Sequence, residues 1–97
     1  MSKKAFDFEF DDQSAAATGK KHDALSYEVS EEAQLTAELL NGSLFLWGNR
    51  PGLLGLAKIL IRMGLSEYKD GFHVHLRQDF SGDAELPDVL TICVNSK

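Results

Sequence analysis

Two histidines spaced two apart in the run Phe72-His73-Val74-His75-Leu76 are the side chains whose types and spacing best suggest chemistry. On an extended backbone, alternate residues share a face. His73 and His75 would point one way and Phe72, Val74 and Leu76 the other. Paired imidazoles on one face are half of a transition-metal site. Zinc takes three or four protein ligands, and Asp79, His22, Glu67 and Cys93 are on hand to complete it, though none stands at a diagnostic spacing. The other reading is the polar face of a half-buried strand, and the missing spacing favours it.

Other chemistries find less footing. No Gly-x-Ser-x-Gly elbow is present. Cys93 sits in the apolar run Val89-Leu90-Thr91-Ile92-Cys93-Val94, where a lone thiol reads as a small core hydrophobe. Asp11/Asp12 and Glu31/Glu32 are neighbours in sequence, so in regular structure they diverge instead of converging on a substrate. Gly48, Gly52 and Gly55 lack the Gly-x-Gly spacing and the lysine of a phosphate-cradling loop, and read as turn and helix-packing residues. The sequence predicts no catalytic residue, no cofactor and no enzyme.

The bulk composition narrows the class. Ninety-seven residues with 43% hydrophobic content suit one small domain. A single cysteine cannot form an internal disulfide, which agrees with a reducing compartment. The start Met1-Ser2-Lys3-Lys4 runs into Phe and acids instead of an apolar leader core. The longest apolar run, residues 56–61, is broken by Lys58 and far too short for a bilayer. A cytoplasmic location without membrane contact is the expectation. Fifteen acids against ten bases give a net charge of −5, and no Lys/Arg cluster is interleaved with aromatics. That argues against nucleic acid, and an acidic surface suits either solubility or attraction to a basic protein partner.

The elements that must position these residues follow from periodicity. Residues 1–30 read as an N-terminal segment, partly flexible, and 31–97 as a single α+β domain. Phe6, Phe8 and Phe10 alternate with Asp7, Glu9 and Asp11, which is either an additional edge strand or an acidic-aromatic tail. Residues 12–21 are small and polar, as in a linker. Asn41-Gly42 between two apolar runs predicts a type I′ hairpin, with a short helix over 31–40 as the rival. Asn49-Arg50-Pro51-Gly52 opens an amphipathic helix whose stripe is Leu53, Leu56, Ala57, Leu60 and Met63, widened by Leu54 and Ile61 and ended by Gly64. The histidine strand at 72–78, a loop carrying Gly82 and Pro87, and a strand at 89–94 complete the order ββαββ. The expected architecture is a small, mostly antiparallel or mixed four-stranded sheet with one helix on one face.

One helix covers one face. Leu44/Leu46, Phe72/Val74/Leu76 and Leu90/Ile92/Val94 should meet it. Phe45, Trp47, His73, His75 and Arg77 then mark the uncovered face, unless the N-terminal segment folds over it. Trp, Tyr and Arg are the types enriched at binding hot spots, so these five are the candidate partner-binding residues. No metal ligand set is assigned.

The run Leu46-Trp47-Gly48-Asn49, then Gly52-Leu53 opening a leucine-rich helix, then His73-Val74-His75-Leu76, then a terminal apolar strand resembles small α+β immunity proteins of bacterial polymorphic-toxin systems. The likeness spans residues 43–94. It implies a non-enzymatic antidote that binds and neutralises a toxin domain. Two alternatives stay open beside it: a small metal-binding domain centred on His73 and His75, and a homodimer.

Overall fold

The computed structural model describes residues 2–80 and 87–95. Its elements run α1 (Ala15–Thr18), β1 (Leu35–Leu40), β2 (Ser43–Gly48), α2 (Arg50–Leu65), β3 (His73–Arg77) and β4 (Asp88–Cys93). The fold is α+β, with one main helix between two antiparallel hairpins. The four strands form two two-stranded sheets, β1-β2 and β3-β4, instead of one continuous ladder. Leu35 N–H donates to Gln78 O at 2.7 Å, and this bond ties the start of the first hairpin to the end of β3.

The hairpin reading of residues 35–48 holds against the helical one. Asn41 (φ 52°) and Gly42 (φ 78°) both occupy the left-handed region a type I′ turn requires. β1 and β2 pair without a register shift from Leu35↔Gly48 to Leu40↔Ser43. In the second hairpin Val74 faces Ile92 and Leu76 faces Leu90, so these four share a face. A bulge between Leu76 and Arg77 then brings Asp88 opposite Arg77.

The core is built from Ala33, Leu35, Leu56, Ile59, Met63, Leu76 and Phe80. Phe72, Val74, Leu90, Ile92 and Val94 pack against it, as their period of two predicts. Leu44 and Leu46 do not: both are exposed, and among the described residues Leu35 is the one residue of the first hairpin that joins the core.

Helix α2 also presents a different stripe from the leucine pattern. Its buried line is Gly52, Gly55, Leu56, Ile59 and Met63, while Leu53 and Leu60 are exposed. Gly52 and Gly55 pack as the helix-packing reading expects, and they share the contact line with Leu56, Ile59 and Met63. A Cβ on Gly52 would lie 2.1 Å from Gln34 O, and one on Gly55 would lie 2.7 Å from Val29 Cγ1.

The N-terminal residues lie on the helix and core. Residues 2–13 carry no strand. Phe8 stacks on Phe10 and Phe6 tilts against Phe8, and the Lys58 and Arg62 cations sit 5.4 and 5.2 Å from the Phe8 centroid, with Arg62 5.3 Å from that of Phe10. The aromatic alternation serves a cationic helix face, not a sheet edge. The segment read as a linker contains a helical turn: Ser14 caps α1 by accepting from Ala17 N–H, and Gly19 closes it at φ 73°. Beyond it Leu25, Tyr27 and Val29 alternate inward onto the core. The turn glycine expected at Gly82 lies outside the described residues.

Candidate functional site

The five candidate residues fall into two clusters, one on each hairpin. On the first, Phe45 and Trp47 stand two apart on β2 and share a face. Their rings stack at 6.2 Å with planes 19° apart, and they remain 41% and 55% exposed. Thr36 and Glu38, their cross-strand neighbours, complete that face. A shallow groove of about 320 Å³ lies beside the indole, lined by Gln34, Leu35, Thr36, Gly48 and Asn49.

On the second hairpin, His73 and His75 sit edge to face with centroids 4.9 Å apart, opposite Cys93 and Thr91. His73 Nδ1 lies 3.0 Å from Gly71 O, an acceptor only, so this nitrogen carries the proton. His75 Nδ1 lies 2.9 Å from Asp88 Oδ2 and 3.0 Å from Thr91 Oγ1, so it too donates. In the neutral rings both Nε2 atoms are therefore acceptors. The guanidinium of Arg77 stands 3.8 Å from the other Asp88 oxygen. Asp88 thus orients His75 and borders Arg77, and the bulge gives it that place. The sequence carried no signal for this role, because the register of β4 depends on the irregularity.

The two clusters approach at one end. Thr36, which faces Trp47, and Arg77 each lie one residue from the Leu35–Gln78 hydrogen bond. The N-terminal segment, engaged with α2 and the core, leaves Phe45, Trp47, His73 and His75 exposed.

Among the described residues, no group of three or more His, Cys, Asp or Glu side chains is placed to hold a metal ion. None of their helices is long and apolar enough to cross a membrane.

The residues that led into the helix build a joint. Asn49 caps α2: its Oδ1 accepts from Gly52 N–H and from Gln34 N–H, each at 2.9 Å, and its Nδ2 donates to Glu32 O at 2.7 Å. Gly48 stands against Leu53, where a Cβ would come 2.9 Å from Leu53 Cδ2. Gly48, Asn49 and Gly52 together clamp the first hairpin to the helix start and fix how the Trp47 face is presented.

No curated protein and no solved structure matches the chain significantly. One family profile, Immunity protein 32, matches residues 43–93, from the second strand of the projecting hairpin through the joint, the helix and both histidines to the last strand. That match covers more than half of the sequence, and the chain belongs to the Immunity protein 32 family.

Proposed function

We propose that this protein neutralises a toxin domain in the cytoplasm by binding and occluding it, without catalysis of its own, through the outer faces of its two hairpins. Phe45 and Trp47 are the apolar anchors, and His73, His75 and Arg77 supply the polar flank. The observation that carries this reading is a stacked, exposed aromatic pair on a projecting hairpin, within the segment matched by the immunity family. Exposed aromatics beside a groove are the usual form of a hot spot. A net charge of −5 favours a basic toxin, since opposite net charge accelerates encounter.

The test is co-expression with the toxin domain encoded beside the gene, together with a binding titration. Wild-type protein should restore growth. Trp47→Ala should weaken binding by ~2 kcal/mol, roughly thirtyfold, and leave thermal unfolding unchanged. Continued killing in the presence of the wild-type protein would overturn the function. Unchanged affinity in Trp47→Ala would remove this face from the interface.

A further inference from the structure

The first hairpin is a two-stranded ribbon with an open edge. β2 pairs with β1 alone, and among the described residues no turn or loop backbone bond reaches Leu44 or Leu46. In a hairpin closed by a two-residue turn, Leu40 and Ser43 form a hydrogen-bonded pair, and such pairs recur at every second position. Ser43, Phe45 and Trp47 therefore spend their amides on β1, and Leu44 and Leu46 aim theirs outward. Free edges are normally blunted by charge, proline or a bulge. Ser43–Gly48 has none of these. The ribbon is also bare on both sides, with Leu39 71%, Leu44 60% and Leu46 39% exposed on one face and Phe45 and Trp47 on the other. An isolated two-stranded ribbon is marginal in water, and beyond Leu35 and the joint at Gly48 this one gains no further support from a third strand among the described residues.

We propose that a second copy of this chain pairs antiparallel along the β2 edge, making a four-stranded sheet β1-β2-β2-β1 across a two-fold axis through Phe45. The residue sequence fits this register. Leu44 of each copy meets Leu46 of the other as a hydrogen-bonded pair that exchanges both backbone bonds, giving four bonds in all. Phe45 meets its own counterpart. Ser43, a small side chain, meets Trp47, the largest of the strand. The only charge on the hairpin, Glu38, lies on β1 opposite Phe45, away from the edge. Three strand spacings separate the two Glu38 residues, about 14 Å. That exceeds the ~8 Å Debye length at physiological salt, so the like charges are largely screened. The dimer extends the outer face into one row, Trp47-Phe45-Phe45-Trp47, and buries the edge that a monomer leaves open. This pairing stands independently of what the outer face binds.

Sedimentation equilibrium of the full chain, followed by cysteine cross-linking, tests the proposal. The wild-type protein should sediment at twice 10.7 kDa at tens of micromolar and dissociate on dilution. Leu46→Pro removes one outward N–H while sparing the bonds to β1, and should sediment as a monomer with its circular dichroism retained. In a Cys93→Ser background, Phe45→Cys should oxidise to a disulfide-linked dimer, because counterparts at a non-hydrogen-bonded pair lie ~4.5 Å apart between Cα atoms, within disulfide reach. Ser43→Cys should not, since its counterpart is offset by four residues, roughly 13 Å. A 10.7 kDa species at the highest concentration overturns the proposal, and this includes a monomer whose edge pairs only with a toxin strand. Equal cross-linking of both cysteine variants, or a Leu46→Pro dimer, overturns the edge and register.

Discussion

Replacing Asn49 with Ala should cost more than an ordinary helix cap, because this one side chain holds three segments. Loss of the Gly52 N–H bond removes the cap, about 1 kcal/mol. The bonds to Gln34 N–H and Glu32 O are exposed, so each is placed at the low end for a net hydrogen bond, about 0.5 kcal/mol. The sum is ~2 kcal/mol, from a fold whose size suggests a total of 5–15. In urea, with a slope of about 1.5–2 kcal/mol/M for a domain of this length, the midpoint should fall by about 1 M at unchanged slope. Asn49→Ser separates the contributions, since a serine retains the cap bond and is too short to reach both other partners. It should lose only ~1 kcal/mol. If Asn49→Ser matches wild type, the two tethering bonds contribute nothing and the joint is only a cap. If Asn49→Ala also matches wild type, the reasoning fails altogether.

Other perturbations have opposite signs at neighbouring sites. Gly52→Ala should destabilise by at least ~2 kcal/mol despite the better helix propensity of alanine, because its Cβ would collide with Gln34 O. Gly64→Ala, with no atom within 4 Å of the new Cβ, should stabilise by ~0.5 kcal/mol. Paired denaturant curves check both, and a shared sign would refute the close approach. Leu76→Ala, fully buried, should cost 2–5 kcal/mol by the usual range for core leucines, whereas Leu44→Ala in dilute protein should change stability by less than ~0.5. Asp23 accepts Ala15 N–H and Lys69 N–H, and these bonds hold its carboxyl below the ordinary 3.8; the Ser14 N–H and hydroxyl do the same for Asp12. A depressed folded value means this stability is present above 3.8 and is lost as pH falls through the lower folded value. Thermal unfolding followed from about pH 6 to about pH 2 should therefore show a shallower acid decline in Asp23→Asn than in wild type, and identical declines would refute the assignment.

Whether a feature was legible in the sequence depended on whether its cause was local. Asn41-Gly42 fixed the hairpin because positive φ at two successive residues is a property of those residues. Alternation in Phe72-His73-Val74-His75-Leu76 placed both histidines outward for the same reason. What periodicity could not supply was the partner of each face. Lys58 and Arg62 lie four apart on the helix, and nothing in that spacing shows that phenylalanines of a distant segment lie on them. Leu44 and Leu46 alternate as core residues do, yet both are exposed, since among the described residues Leu35 is the one residue of the first hairpin that joins the core.

That geometry changes what the shared segment does. Gly48, Asn49 and Gly52 reach inward to hold hairpin and helix at close range, while Trp47, one residue earlier, turns outward. Within the six residues 47–52, Gly48, Asn49 and Gly52 thus form the joint, while Trp47 stays exposed. Trp47 changes should therefore alter binding with little effect on stability, and Gly52 changes should alter stability first. Loss of binding from Gly52→Ala in protein that remains fully folded would show that the joint sets the angle of the recognition face, beyond holding it to the helix.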